Sequence, residues 1–278
     1  LIEYSQGIKA PIITLAELGF SMPAYAPLDS KAHKNLAINI DNNFSHATEF
    51  NLVSLGFNEI ASISGCMPVV VTAKDANTPE KLAAVVGWPE FGNLFCDDSQ
   101  HGVQPSGDKK WQGHAIPLSI QSYPFNYAIE GDKLTVLFNQ ESTLLVTDTT
   151  SSLPLFASDG SPTATLKQYQ SMLANIASGS AQANAFVDAL NKLALLSPLS
   201  ITLHFQDGVT RESHGLMTIN EERLALLDAS TIYELHTQGL LVAINAMMLS
   251  LRQYNRLVQL TQNTENPIIK IGLKTANN

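Results

Sequence analysis

Apolar and polar residues alternate through Leu199-Ser-Ile-Thr-Leu-His-Phe-Gln206, the two-residue period of a half-buried strand. Asp207-Gly208 follows, a dipeptide that suits a two-residue hairpin turn because both positions tolerate φ > 0, and Val209 to Met217 is expected to return as the partner strand. Asn220 then stands where an N-cap accepts from an orphan N–H, with Glu221 and Glu222 at the positive end of a helix running to Leu227. A second helix is expected from Asp228 or Ser230 through Ile232, Leu235 and His236 to a stop at Gly239. From Leu240 a longer one aligns Leu241, Ile244, Met248, Leu251, Tyr254 or Asn255, and Val258 on one stripe. A hairpin followed by three helices is the most legible stretch of the chain, and Pro198 closes a helical pattern just before it.

The preceding residues are richer in strand patterns. Residues 1–29, with Pro11, Pro23 and Pro27 and no sustained period, read as an extended arm. Ser30 caps a short turn through His33 and Leu36, Ile38 and Ile40 read as a brief strand, and Asp41-Asn42-Asn43 is turn chemistry. Phe50 to Leu55 predicts another strand, followed by the helix-like Asn58 to Gly65. Met67-Pro-Val-Val-Val-Thr72 is apolar on both faces, as a buried central strand is. Thr78 predicts a short helix over Pro79 to Leu82. Strands are expected again at Ala84 to Trp88, Asn93 to Cys96 and Lys133 to Phe138, with a polar loop from Asp97 to Asp108.

Between Thr163 and Leu195 the period becomes helical: Leu166, Tyr169, Leu173 and Ile176, then Phe186, Val187, Leu190 and Leu193. Gly179 lies between the halves, so one kinked helix or two shorter ones fit. After Thr261 the chain is polar to Pro267, and Ile268 to Leu273 then alternates as an edge strand does. The fold class expected is α+β, a strand-rich N-terminal and middle region with a C-terminal β-hairpin and a helical layer. The organisation expected is an arm over 1–29, a single domain over 30–262 and a tail over 263–278.

Composition narrows the functional classes. The 278 residues are 45% hydrophobic and 15% charged, which suits a folded globular chain. A net charge of −9 counts against duplex nucleic acid, whose binding rests on clustered Lys and Arg, and Lys109-Lys110 is the densest pair. The best apolar run, Gly239 to Leu251, falls short of the roughly 20 residues a membrane span needs and carries Asn245 and Ser250, so no span is expected. No basic segment followed by an apolar core and cleavage site opens the chain, and a start at Leu1 leaves room for a removed presequence or an earlier beginning. Cys66 and Cys96 form neither a C-x-x-C pair nor a disulfide framework; they are expected as buried free thiols, which favours the cytoplasm.

Candidate chemistry is sparse. No two of the seven histidines stand at i and i+4. A two-residue turn would set His204 opposite Arg211 and His214 opposite Ile201, on opposite faces of the hairpin, so no metal and no cofactor is expected. No G-x-S-x-G turn, G-x-G-x-x-G or phosphate-cradling P-loop occurs, and the reading leans away from an enzyme. The strongest candidate for a binding surface is Trp88 to Phe125, where Trp88, Phe91, Phe95, Trp111, Tyr123 and Phe125 flank a polar loop with Asp97, Asp98, His101 and His114. Trp88, Phe91, Asp97, Trp111, His114 and Tyr123 are the candidate contacts; the alternative is that the rings are core and the loop a solvated tip. Met247-Met248 reads as core packing, with a partner-binding face as the alternative.

The run LSITLHFQDG, continued by HGLMTINEERLALLDASTIYELHTQGLLVAINAMMLSLRQYNRLVQL, resembles the carboxy-terminal half of the SapC family of bacterial proteins. SGCMPVVVTA, FGNLFCDD, WQGHAIPLSIQSYPF and LPLFASDGSPTATL agree in order, so the resemblance spans roughly His33 to Leu260. The peptide-transporter permease of the same name is a different protein, excluded by the missing membrane spans. The leading reading is a non-enzymatic accessory or interaction protein, and the resemblance implies a surface-layer, cell-surface association. A module holding a small molecule or peptide near Trp88 to Phe125 is the second reading, and an enzyme with an unrecognised site the third.

Overall fold

The computed structural model describes residues 24–74, 79–96, 111–131, 133–147 and 152–275. Asp97, Asp98, His101 and the rest of the polar loop to Asp108, together with Thr78, lie outside the described residues. In chain order the strands are β1 (Tyr25–Pro27), β2 (Ala37–Ile38), β3 (Leu52–Ser54), β4 (Val69–Thr72), β5 (Leu82–Val85), β6 (Gly87–Trp88) and β7 (Gly92–Asn93). They continue with β8 (Phe125–Glu130), β9 (Lys133–Asn139), β10 (Leu145–Val146), β11 (Leu153–Pro154), β12 (Leu196–Phe205), β13 (Thr210–Ile219) and β14 (Ile268–Thr275). The helices are α1 (Ile60–Ile63), α2 (Leu118–Gln121), α3 (Ala164–Lys192), α4 (Glu221–Ala225), α5 (Ala229–Thr237), α6 (Leu240–Ser250) and α7 (Tyr254–Leu260). The protein is mixed α+β.

The main sheet has six antiparallel strands in the order β14-β12-β13-β4-β5-β3. Val69, Val70 and Val71 are fully buried at its centre, as their two-sided apolar pattern requires. Strands from both ends of the sequence therefore share one sheet. Helices α6 and α7 pack against it, α6 on β4 and β13 and α7 on β14. Ser250, at the end of α6, is fully buried. Its hydroxyl donates to Met247 O at 2.6 Å and accepts from Val69 N at 2.9 Å, tying the helix to the central strand.

The β12–β13 hairpin differs from the expected register by one residue. Phe205 N donates to Val209 O, Gly208 has φ 87°, and the connection is Gln206-Asp207-Gly208 rather than two residues. His204 therefore pairs with Thr210, and Ser200 Oγ lies 3.2 Å from His214 Nδ1. The two imidazoles therefore share one face, His214 beside Ser200 and His204 four residues further along β12, instead of lying on opposite faces. Pro198 does not end a helix: it lies within β12, just before Leu199, where pairing with β14 begins, so its missing N–H breaks no ladder on that side. The helix expected over Pro79 to Leu82 is likewise absent, because Thr72 and Lys81 pair through their backbones and Leu82 opens β5.

Helix α3 is one continuous element of 29 residues, about 43 Å long at 1.5 Å per residue. Thr163 caps it, accepting from Leu166 N. Its first half buries Leu166 and Leu173 with Ile38, Phe125, Phe138, Leu155 and Phe156 in a smaller core beside the sheets β1-β9-β8 and β10-β2-β11. The second half buries Ala183, Phe186, Val187 and Leu190 in the large core of the six-stranded sheet. Gly179 falls between the two. Instead of breaking the helix it lets the backbone approach Gly56: a Cβ on Gly179 would sit 3.1 Å from Gly56 Cα and well inside van der Waals contact distance of Asn58 Oδ1.

Candidate functional site

The junction of the two cores carries a cleft of about 210 Å³. One wall is the turn from Ile38 to His46, the second is Ile120 to Tyr123, and the third is the stripe Thr165, Gln168, Tyr169 and Met172 of α3. Asp41 shapes the first wall by accepting from Asn43 N and Ser45 N, both at 2.8 Å. Phe44, at the head of the 3-10 turn that carries His46, takes a left-handed conformation with φ 54°. Burial pushes the Asp41 carboxyl up, but the N–H groups of Ser45 and Asn43 outweigh it and hold the group below the usual carboxylate range.

His46 and Tyr123 stack face to face, ring centroids 4.0 Å apart and planes 8° apart. His46 Nε2 lies 3.1 Å from the carbonyl of Ile120. A carbonyl only accepts, so Nε2 carries the proton and Nδ1 keeps its lone pair, buried and without a hydrogen-bond partner. Burial lowers the imidazole pKa, against the opposing pull of the Ile120 carbonyl and Asp41, so the ring is neutral at pH 7. Burial also raises the Tyr169 phenol, whose ring lies 4.6 Å from Phe125 between the cleft and the smaller core. Four primary amides, Asn39, Asn42, Gln121 and Gln168, supply donors and acceptors, and no lysine or arginine among the described residues lines the cleft.

Of the candidates read from sequence that lie among the described residues, only Tyr123 borders this cleft. Trp88 and Phe91 are 3% and 6% exposed; they face Tyr254 and Phe205 in the large core. Trp111 is buried as well. It lies at 25° to Phe95, meets Phe44 edge-on, and donates through Nε1 to Ala115 O at 2.9 Å. Arg256 closes this group, its guanidinium over the Phe95 ring and donating to the Gln112 carbonyl. His114 is exposed and rests against Gly65, and Asp97 lies outside the described residues. The structure thus places Trp88, Phe91 and Trp111 in packing positions, whereas His46, Gln168 and Tyr169 line the cleft without having been singled out. Tyr169 was legible as a position on a helical face; its meeting with the Asp41 turn was not.

The family model described as SapC matches residues 28–257. The chain belongs to the SapC family. All three walls of the cleft fall inside the matched region of this SapC protein, and β14 falls outside it. No curated protein and no solved structure matches the chain. No helix among the described residues is long and apolar enough to cross a membrane, and those residues hold no cluster of three or more His, Cys, Asp or Glu able to take a metal ion. Cys66 and Cys96 are both buried.

Proposed function

We propose that this SapC protein is a non-enzymatic accessory protein that holds a small neutral polar group, either a free ligand or one side chain of a partner, in the cleft between its two cores. The stacked His46–Tyr123 pair, set among four amides with no cationic side chain from the described residues, is the observation that carries this reading. Aromatic faces cover the apolar side of a ligand, while amides exchange hydrogen bonds with hydroxyl or amide groups. An anion would find no basic partner among the described lining residues. A cation would find Asp41 already accepting from two backbone N–H groups. Size narrows the choice further, because 210 Å³ is below the roughly 300–1,000 Å³ of pockets for drug-sized ligands and suits one sugar ring or one amide side chain. The cell-surface association implied by the family name is compatible with such a role.

Saturation-transfer NMR with neutral hexoses, an N-acetylhexosamine and glutamine-containing dipeptides tests this reading, with citrate and phosphate as anionic controls. Transfer to at least one neutral ligand is expected. Tyr123→Ala and Gln168→Ala should each weaken it about five- to tenfold, the loss of one stacking or hydrogen-bonding contact. Transfer to the anions alone, no transfer to any probe, or transfer indifferent to both substitutions would contradict the proposal.

A further inference from the structure

The free edge of the main sheet is the second place where the molecule is prepared for a partner. β14 is the outermost strand, paired on one side with β12 from Leu199 to Phe205 and unpaired on the other among the described residues. A strand edge of eight residues presents a row of backbone donors and acceptors to any extended chain. Its side chains are not those of a covered strand: Ile269 and Leu273 are 62% and 40% exposed. On the opposite face Lys270 and Lys274 stand beside His204 and Ser200, and neither lysine makes an ion pair with a described residue.

The charge pattern selects the occupant. A second copy pairing antiparallel in the face-matched register centred on Gly272 would set each Lys270 opposite the partner copy's Lys274, twice per interface, and like charges directly opposite oppose pairing. The same two lysines, four residues apart on one face, attract an extended segment carrying acidic side chains at the matching positions, with apolar side chains between them to cover Ile269 and Leu273.

We infer that β14 is a β-augmentation edge that receives an acidic, alternately apolar strand from a partner protein. The strand adds antiparallel or parallel to β14 and makes the six-stranded sheet a seven-stranded one. The inference does not rest on the cleft, whose lining includes no residue of β14.

The test uses the full chain and a fluorescein-labelled heptapeptide alternating valine with glutamate and threonine, the two glutamates four residues apart, against a control in which lysine replaces glutamate. The acidic peptide should bind saturably, slow hydrogen exchange of β14 backbone amides that are unprotected in the free protein, and lose affinity as salt rises. The double variant Lys270→Glu/Lys274→Glu changes only exposed side chains. It should weaken the acidic peptide at least about tenfold and bind the lysine peptide in its place. Equal binding of both peptides, or binding unmoved by the double variant, would overturn the inference. So would β14 amides already fully protected in the free monomer, which would mean that another segment of this chain covers the edge. A dimer in sedimentation that the acidic peptide fails to dissociate would assign the edge to a second copy.

Discussion

Replacing Glu59 with alanine is expected to destabilise the protein by about 2–4 kcal/mol, the cost of leaving two buried N–H groups without acceptors. Glu59 is 6% exposed, in the 3-10 turn Phe57–Glu59 ahead of α1. Its Oε2 accepts from Gly56 N at 2.9 Å and its Oε1 from Leu118 N at 2.7 Å, so one carboxylate joins the turn facing α3 to the start of α2, the helix bordering the cleft. Burial pushes its pKa up, while the donors at Leu118 and Gly56 pull it back. Glutamine offers only one acceptor atom and would point its NH₂ at the other donor, so Glu59→Gln should recover about half the loss. Because the folded state holds the Glu59 proton more tightly than the unfolded chain does, the carboxyl contributes most at low pH and less as pH rises through its folded pKa. Urea unfolding should therefore show the gap between wild type and Glu59→Gln widening as pH falls from 7 toward 4.5. A gap of under about 0.5 kcal/mol between wild type and Glu59→Ala at pH 7 would show that neither bond matters.

Gly179→Val is the second large effect, with an expected loss of about 2–4 kcal/mol. Helix propensity alone favours almost any residue over glycine, by up to about 1 kcal/mol for alanine. Packing decides against it, because the added Cβ meets Gly56 Cα at 3.1 Å and overlaps Asn58 Oδ1. Asn58 can swing away, whereas the Gly56 backbone is fixed by the bond to Glu59. Gly179→Ala should thus cost about 1–2 kcal/mol, and adding Asn58→Ala should restore part of it. Thermal unfolding of the single and double variants distinguishes this from a propensity effect, under which Gly179→Ala would raise the melting temperature.

Patterns whose local preference agreed with their tertiary setting were legible in sequence. The alternation in β12, the caps at Asn220 and Asp228, the stop at Gly239 and the long period of α3 all report interactions within one element. What was not legible depends on distant partners. Asp207-Gly208 suits hairpin connections of two or three residues, and here Gln206 N donates to Pro267 O while Asn266 Nδ2 donates to Asp207 Oδ2, bonds across some sixty residues. The buried stripe of α6 runs through Ala243, Ile244, Met247 and Ser250, displaced from the expected one because a serine that reads as polar is held inside by Val69. Likewise an aromatic cluster looks the same in sequence whether it lines a cleft or fills a core. The cleft itself is assembled from segments spread over more than a hundred residues, and no local signal marks their meeting.

The account rests on α3 belonging to both cores at once, which fixes the third wall of the cleft against the other two. Native-state hydrogen exchange along that helix tests it most directly. Amides of residues 168–176 and 183–190 should share one opening free energy, equal to that of global unfolding, and should respond together to Gly179→Val. Two distinct opening energies, with the first half exchanging while the second stays protected, would show that the smaller core opens on its own and that nothing holds the cleft in place.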